Sequence, residues 1–302
     1  MLNHQMNQII EEIQKHYEGS LSENQNTLQD ILNILGDLVD SLADAEVKTS
    51  EWEYHSQTLI NKIIFTSNSI IKLTHGYDLQ SFKNPTLKVN IIDYPSLFVL
   101  TRALIENYVT LCYIYNNSLS KEEKIFRFKL WQVSGLLTRK NFADPKGDFN
   151  IDKKESESEM IQKILLEIES MDEYRSLDKR KLNSLKTYGL HRIDSWHKLI
   201  EESDLKQTMF SNSYSFFSDY AHSEFLSILQ IGQVSLNSKD PNNISNVMLV
   251  LSHVRMIVAL CAKFYISNYK VAESAFNTYP LTQRTIIALW SKIAGKNTAP
   301  NT

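Results

Sequence analysis

Hydrophobic residues recur at spacings of three and four over most of this chain, which is the periodicity of amphipathic α-helices. In the first quarter of the sequence, the pattern predicts helices at residues 3–17, 23–46 and 51–73. Ser50 followed by Glu53 has the spacing of a capping box, which supports the start of the third helix. Residues 77–92 lack the helical period, and we expect an extended connector there.

The helices that start near Asp93, Asp204 and Ile244 are predicted to form the centre of the fold, and two of them are the most apolar segments of the chain. The first opens with Asp93 and Pro95 and continues to about residue 117, with apolar residues around nearly its whole circumference. Proline suits the first turn of a helix because its missing N–H would have no partner there. The second runs from about 244 to 278, before Pro280. Because such helices are expected to be buried, polar side chains on them need partners.

Shorter periodic segments complete the prediction of an all-α fold. They are expected at residues 120–141, 158–171, 172–186 and 194–201, and from Asp204 through His222. Another helix is expected to start at about Glu224, and a last one to run from Pro280 through Ala294. We therefore predict a single bundle of about ten helices. Its predicted divisions are an acidic N-terminal helical hairpin at 1–49, the bundle domain at 50–294 and a disordered tail at 295–302. The polar residues 143–159 are predicted to form a mobile loop.

Composition argues against several classes of protein. Eight glycines and six prolines in 302 residues are too few for the turns of a many-stranded fold. Cys112 and Cys261 lie in apolar helices with no Cys or His at metal-ligand spacing, which argues against a disulfide framework and a zinc site. The N-terminus lacks the pattern of a signal peptide, and the apolar stretch 247–262 is short and contains His253 and Arg255. We expect a cytoplasmic protein with no membrane segment, no metal and no cofactor.

Charge is distributed unevenly along the chain. Residues 1–60 contain eleven acidic and two basic residues, a net of −9, so the remainder carries +6 of the total net charge of −3. From residue 242 onward there are six Lys or Arg residues and one acidic residue, Glu273. Either the N- and C-terminal helices pack against each other, or a basic surface binds an anionic ligand. Both interpretations stay open at this point.

Arg102 and Glu106 are charged residues inside the apolar helix that opens at Asp93. Their i,i+4 spacing places both side chains on one face of the helix, within reach of each other. A guanidinium suits bidentate binding of a phosphate or carboxylate, with Glu106 orienting it. The alternative is an internal ion pair that fixes the register of the helices.

A second set of polar residues consists of Tyr214, Ser218, Tyr220 and His222. Three of them, Tyr214, Ser218 and His222, are spaced by four and so lie along one side of a helix. An imidazole beside hydroxyl groups can act as a general acid or base near neutral pH. The alternative is a core histidine whose hydrogen bonds serve only the structure.

Arg192 and His197 form a third candidate set. An arginine, four residues and a histidine is similar to the active-site motif of HEPN-type helical ribonucleases. In that family the histidine helps to deprotonate a ribose 2′-hydroxyl, and the arginine binds the scissile phosphate. This chain departs from the family pattern because Ile193 stands where a polar residue usually follows the arginine. A solvent-exposed short helix is the alternative.

The motif R-A-L-I-E-N on the early apolar helix and Y-x-x-x-S-x-Y-A-H on a later helix together resemble a bacterial all-helical family of unknown function. The resemblance extends over roughly residues 50–270 and rests on Arg102, Glu106, Tyr214, Ser218 and His222. It implies a distantly HEPN-like fold and an association with mobile elements and phage-defence loci.

Two hypotheses of function follow. The first is a metal-independent ribonuclease or nucleotide-acting effector of a defence or toxin system, in which Arg102 binds phosphate, Glu106 positions Arg102, and His222 with Tyr214 transfers protons. The second is a non-catalytic helical interaction or regulatory module, in which the same residues only specify the core. We expect a homodimer, and RNA or a nucleotide as the ligand of the enzyme. An open cleft at Arg102 and His222 indicates the first function, whereas a sealed and fully paired cluster indicates the second.

Overall fold

The structure is a computed structural model that describes residues 18–140, 149–233 and 237–296, with the backbone alone at 149–154, and the single positions 7, 10, 11 and 14. Within these residues, thirteen helices and one two-stranded sheet form, which confirms the predicted all-α fold. Most of the predicted helix at 3–17, the start of the predicted polar loop and most of the predicted tail lie outside the described residues.

Most of the described elements are helices, and the two strands lie between the second and the third helix. In chain order they are α1 (Leu21–Asp44), α2 (Glu51–Thr74), β1 (Tyr77–Gln80), β2 (Lys88–Ile91), α3 (Tyr94–Tyr115), α4 (Lys121–Lys140), α5 (Phe149–Ser170), α6 (Asp172–Arg175), α7 (Lys179–Thr187), α8 (Trp196–Glu202), α9 (Gln207–Ala221), α10 (Phe225–Gln233), α11 (Pro241–Asn268), α12 (Lys270–Thr278) and α13 (Leu281–Ala294).

The chain divides into two compact units. The first unit consists of residues 1–109 and 204–302, and the second consists of the intervening residues 110–203. The boundary that the sequence suggests near residue 50, between an N-terminal hairpin and the main bundle, stays a prediction.

Helix α1 begins with a capping box and packs in the core of the first unit. The Ser20 hydroxyl accepts a hydrogen bond from the Glu23 N–H at 3.2 Å, and the Glu23 carboxylate accepts one from the Ser20 N–H at 2.7 Å. The helix packs against α11, α12 and α13, so the acidic and basic ends of the sequence meet, as one of the two charge interpretations predicts. Its buried residues recur at helical spacing and include Leu28, Ile31, Leu32, Leu35, Leu38 and Leu42.

Helix α11 is the central helix of the first unit, and more than half of its residues are buried. Asp240 caps it by accepting a hydrogen bond from the Asn242 N–H at 2.9 Å. The helix ends at Asn268, and Tyr269 has an extended backbone before α12 begins. The predicted continuous helix over 244–278 is therefore wrong. The chain turns here because α12 packs back on α1 and α11, a tertiary contact that the helical period does not encode.

Arg255 lies in the middle of α11 with 1% of its surface exposed. Its Nη2 donates a hydrogen bond to the Asn24 Oδ1 at 2.7 Å, and its guanidinium carbon lies 4.5 Å from the centroid of the Trp290 ring. Asn24 belongs to α1 and Trp290 to α13, so one cation links three helices of the core. A buried cation needs such partners because burial removes its hydration.

His253 is buried on the same helix, and its ring centroid lies 5.5 Å from those of both Phe210 and Phe217 on α9. The His253 Nδ1 donates to the Leu249 carbonyl at 2.8 Å, so the Nε2 accepts from the Ser213 hydroxyl at 2.8 Å. Burial lowers the pKa of His253, and the backbone hydrogen bond with Leu249 offsets only part of this effect. The imidazole is therefore neutral in the folded protein.

We expect mild acid to destabilise the first unit through His253. A histidine in an unfolded chain takes up a proton near pH 6.5, whereas the folded pKa of His253 is lower, so unfolding binds a proton below about pH 6.5. The free energy of unfolding should fall there by up to about 1.4 kcal/mol per pH unit. Urea denaturation followed by circular dichroism between about pH 7.5 and 5.5 measures the slope. The His253→Gln variant should show a flatter dependence, and equal slopes would contradict this role.

Strands β1 and β2 form an antiparallel hairpin within the segment predicted to be extended. Tyr77 lies opposite Ile91 at its base, and the pairing continues to Gln80 opposite Lys88. Gly76, just before β1, has a φ of +71°, and a Cβ there would lie 2.6 Å from the Ile91 carbonyl oxygen. Only glycine fits this entry into the hairpin.

The second unit has its own apolar core, to which α4, α5 and α7 contribute. Helix α5 starts at Phe149, so the predicted loop at 143–159 is wrong from that residue onward. Lys, Glu and Ser are compatible with a helix, and the buried apolar residues that hold α5 lie further along it. The predicted helix at 172–186 is divided into α6 and α7, because the Asp178 carboxylate accepts from the Lys181 N–H at 2.8 Å and caps a new helix. The core residues are Phe126, Leu130, Val133, Ile161, Ile164, Ile168, Leu177 and Leu185.

Helices α3 and α11 are long and apolar enough to cross a membrane by length and composition. In this structure 61% of the most apolar window of α3 and 72% of that of α11 are buried. Burial on this scale is what core helices show, and the sequence predicts a core position for both.

Candidate functional site

Four of the predicted residues meet in the first unit, between α3 and the C-terminal end of α9. The Arg102 Nη1 lies 3.2 Å from the His222 Nε2, and the Arg102 Nη2 lies 3.1 Å from the Glu106 Oε1. The Tyr214 hydroxyl donates a hydrogen bond to the same Glu106 oxygen at 2.9 Å. The guanidinium carbon of Arg102 is 5.5 Å from the centroid of the Tyr214 ring. These four residues are named the Arg–His cluster below.

Aromatic packing holds α3 against α9 beside the cluster. Phe98 lies one turn before Arg102, and its ring centroid is 5.2 Å from that of Phe216, 5.1 Å from that of Phe217 and 4.8 Å from that of Tyr220. Such ring contacts are specific in geometry and resist sliding of one helix along the other. They therefore fix the register in which the charged residues of α3 meet α9.

His222 is the C-terminal cap of α9 and not a residue of the helix itself, which corrects the prediction that the helix carries it. Its N–H still donates to the Ser218 carbonyl at 3.0 Å, so it lies one turn beyond Ser218. The next residue, Ser223, has a φ of +54° and redirects the chain toward α10. His222 is consequently exposed at the end of the helix.

The hydrogen bonds of the Arg–His cluster indicate which of its nitrogen and oxygen atoms carry protons. Arginine only donates, so the His222 Nε2 accepts, and the neutral imidazole carries its proton on Nδ1. Burial acts to lower the pKa of Arg102, but hydrogen bonds and charges of Tyr214 and Glu106 outweigh it and raise the pKa above the usual value. Burial is also the main cause that raises the pKa of Tyr214, which stays a protonated donor.

The cluster is closed on its inner side and open at His222. Tyr214 is 6% exposed, whereas the side chains of Arg102 and Glu106 are 19% and 26% exposed and His222 is exposed. A ligand can reach His222 and part of Arg102 from solvent. The cluster thus combines the internal pairing expected of a structural network with the opening expected of a site.

Ser218, the fifth predicted residue, has a contact of a different kind. Its hydroxyl donates to the Tyr214 carbonyl at 2.7 Å, a hydrogen bond within α9. A second polar pair, which Tyr108 of α3 forms with Asp204 just before α9, was not predicted from the sequence. The Tyr108 hydroxyl of α3 lies 2.9 and 3.0 Å from the two carboxylate oxygens of Asp204. The presence of Tyr108 on a helix predicted to be buried was the available signal.

Arg192 and His197 belong to the second unit. Helix α8 begins at Trp196, so His197 lies on the helix and Arg192 lies before it. The contacts described for Arg192 are with His191 and with the ring of Trp196, whose centroid is 4.3 Å from the guanidinium carbon. His197 is exposed. The two residues therefore do not share one helix face.

The second unit also contains a cavity of about 280 Å³, lined by residues of α3, α4, α8 and adjoining loops. Arg127 lies on its wall and donates to the Tyr113 carbonyl at 3.0 Å and to the Glu123 carboxylate at 2.6 Å. Its cation is therefore already paired within the unit.

Within the part of the chain that the structure describes, no group of three or more His, Cys, Asp or Glu residues is placed to hold a metal ion. The Arg–His cluster itself offers a cation for binding oxyanions and an imidazole for proton transfer.

The comparisons with known proteins connect this cluster to a family. The model of a family of unknown function, DUF5677, matches residues 54–240. No curated protein and no solved structure matches the chain. The matched segment includes α3 and α9, and thus all four residues of the Arg–His cluster and Ser218. Because the match extends over more than half of the 302 residues, the chain belongs to the family of unknown function DUF5677.

Proposed function

We propose that this protein is a metal-independent ribonuclease that cleaves RNA at the Arg–His cluster. The observation that carries the proposal is the contact between the Arg102 guanidinium and the exposed imidazole of His222, with Glu106 holding the guanidinium from its other side. Cleavage of RNA by its own 2′-hydroxyl needs a cation for the phosphate and a base for the hydroxyl proton. The cluster contains one of each within hydrogen-bonding distance.

Binding of a phosphodiester frees the base. In the unliganded cluster, the lone pair of the His222 Nε2 accepts from Arg102 and is unavailable to a substrate. A phosphate competes for the same guanidinium nitrogen with a full negative charge, and charge-assisted hydrogen bonds are stronger than those to a neutral imidazole. Arg102 then turns to the phosphate while Glu106 keeps its second nitrogen, and the Nε2 becomes free.

The proposed reaction is an internal transfer at phosphorus. The His222 Nε2 takes the proton of the ribose 2′-hydroxyl, and the 2′-oxygen forms a bond to phosphorus as the bond from phosphorus to the 5′-oxygen breaks. The leaving 5′-oxygen takes a proton from a water molecule, and His222, which is exposed to solvent, returns its proton to the hydroxide that remains, so that water and the neutral base are restored. The products are a 2′,3′-cyclic phosphate and a 5′-hydroxyl. Arg102 stabilises the charge that develops on the phosphoryl oxygens.

Tyr214 and Glu106 have positioning roles in this proposal. Tyr214 is almost fully buried and donates to Glu106, so it supports the carboxylate and is poorly placed to give a proton to a substrate. The carboxylate in turn holds Arg102 at the surface. The sequence-based assignment of proton transfer to Tyr214 is thus replaced by a supporting one.

The proposal is tested by incubating the purified protein with total bacterial RNA and with tRNA in EDTA. The wild type should cleave, and the fragments should end in 2′,3′-cyclic phosphates. His222→Ala should lose at least about 100-fold in rate, the lower end of what a general base contributes. His75→Ala is the matched control, because His75 is also an exposed histidine that caps a helix, and it should cleave like the wild type. His197→Ala tests the alternative pair in the second unit.

Cleavage that survives in His222→Ala and is lost in His197→Ala would move the activity to the second unit. Absence of cleavage by the wild type over a wide range of protein concentrations would favour the second candidate function, a non-catalytic interaction module. The observation in favour of that candidate is the apolar helix α10, whose large side chains are exposed directly after the cluster.

We also propose that the fold is HEPN-like and that the protein acts in the cytoplasm as an effector of phage defence or as a toxin. The resemblance of the two motifs to families of that kind supports this part of the proposal. Expression of the wild type in bacteria should slow growth or reduce phage plaques, and His222→Ala should do neither. If the wild type and His222→Ala had equal effects on growth and plaques, a role in defence or toxicity would not depend on the Arg–His cluster.

A further inference from the structure

Helix α10 has a composition and an exposure that do not fit a free surface. Its sequence, FLSILQIGQ, contains no charged residue, and of its nine residues, all of which the structure describes, only Ser227 is buried. Phe225 is 77% exposed and Leu226 is 60% exposed, and Ile228 and Leu229 are 52% and 41% exposed. A helix whose solvent-facing side consists of large apolar residues normally packs against another element.

The hairpin of β1 and β2 has a second exposed apolar face. Tyr77 and Leu79 of β1 lie opposite Ile91 and Val89 of β2, so these four side chains share one face. Three of them are exposed, with Tyr77 at 43%, Leu79 at 53% and Val89 at 41%. The opposite face is polar and contains the hydrogen bond from the Asn90 side chain to Asp78, at 2.8 Å.

The tip of the hairpin extends this apolar face. Phe82 is 104% exposed and Leu87 is 55% exposed. A two-stranded hairpin is marginally stable in water unless one of its faces is covered. An apolar face that continues to a fully exposed phenylalanine therefore calls for a partner outside the unit that carries it.

The helix and the hairpin are tied to each other through the backbone. Asn237 pairs with Ile91 as an isolated bridge, and the Ser238 N–H donates to the Asn90 carbonyl at 3.0 Å. Helix α10 ends at Gln233, four positions before this attachment. We name helix α10 and the apolar face and tip of the hairpin together the apolar patch.

We propose that the apolar patch binds a second copy of this chain and forms a homodimer. Nine exposed side chains of this kind present on the order of 700 Å² of apolar surface, given their exposed fractions. A standard stable interface buries about 800 Å² per partner, whereas the largest patch on a monomer is about 300–600 Å². The patch therefore has the size that a dimer needs.

The chemistry of the patch favours another copy over other partners. A nucleic acid or an anionic membrane surface is bound through clusters of Lys and Arg residues. Helix α10 has none, the tip of the hairpin has the single Lys83, and Lys88 lies on the opposite, polar face of the hairpin. A twofold axis brings the same surface onto itself, so a charged patch would oppose like charges, whereas an uncharged helix avoids this repulsion. The chain also offers two apolar elements of similar size, and each can cover the other in the partner copy.

Sedimentation velocity of the full chain up to about 100 μM tests the dimer, since interfaces of standard size reach micromolar affinity or better. The wild type should sediment as a dimer. Phe225→Glu and Phe82→Glu should each shift it to the monomer, because a charge is then buried without a partner. Leu166→Glu is the matched control, since Leu166 is 66% exposed on α5 of the second unit, and it should stay dimeric.

Both test side chains are exposed, so circular dichroism of the variants should match that of the wild type. A wild type that is monomeric at the highest concentration overturns the proposal, and so does a dimer that survives either substitution. Because the readout is mass in solution, it is independent of whether the Arg–His cluster cleaves RNA.

Discussion

Replacing Arg255 with alanine is expected to lower the free energy of unfolding of the first unit by about 3–5 kcal/mol. The side chain is 1% exposed and fills the space between Asn24 and Trp290, so its removal leaves a cavity and takes away a hydrogen bond to the Asn24 amide oxygen. Because this side chain links α1, α11 and α13, the substitution weakens the contact among all three helices. Urea denaturation followed by circular dichroism measures the loss of stability, with the transitions of the two units fitted separately.

Two further variants identify the cause of this loss. Arg255→Met keeps most of the volume without the charge, and replacement of buried ions by apolar residues is often nearly neutral, so it should cost less than half as much. Arg175→Ala removes an arginine whose side chain is 77% exposed and should change stability by less than about 0.5 kcal/mol. If Arg255→Met were as destabilising as Arg255→Ala, the charge and not the packing would be the larger contribution.

Replacing Arg102 with alanine is expected to reduce RNA cleavage by at least about 100-fold, which is the usual loss when one donor to a developing oxyanion is removed. This prediction depends on the proposed ribonuclease function. Lysine keeps the charge but cannot hold Glu106 and a phosphate through two parallel nitrogens, so Arg102→Lys should retain only a part of the rate. Single-turnover cleavage of a short RNA, with binding measured separately, distinguishes loss of chemistry from loss of affinity.

Arg102 is partly exposed, and the ring packing of Phe98 holds α3 against α9 without it, so its removal should leave the fold intact, unlike that of Arg255. The matched control is Arg175→Ala, which breaks another ion pair within one helical turn, the one with Asp172 at 2.9 Å, and should cleave normally. Cleavage at the wild-type rate by Arg102→Ala would exclude the cluster as the place of reaction.

The helical period was sufficient to predict most helices and the burial of the two central ones. It failed where tertiary contacts decide, as at Tyr269, where α12 folds back on the core without a glycine or proline to mark the break. It also failed at Phe149, because a polar helix and a polar loop have the same composition. The hairpin was visible only as an interruption of the period.

The Arg–His cluster could be predicted in part because charged residues on an apolar helix need partners. The i,i+4 spacing was enough to pair Arg102 with Glu106, and the four-residue spacing was enough to place Tyr214 and His222 on one side of the later helix, where both meet α3. No pattern within either helix indicates that the two helices meet. That contact depends on the ring packing of Phe98 against α9, which joins segments more than one hundred residues apart.

The division of the chain into two units has a consequence for the order in which a newly synthesised protein folds. The second unit is one continuous segment and can fold while later residues are still being added. The first unit cannot, because α1 packs against α11, α12 and α13, which are synthesised after the whole of the second unit. Arg102 and His222 are 120 positions apart and belong to this late unit. A nascent chain therefore has no stable Arg–His cluster before these helices have been synthesised, and any activity at that cluster begins only then.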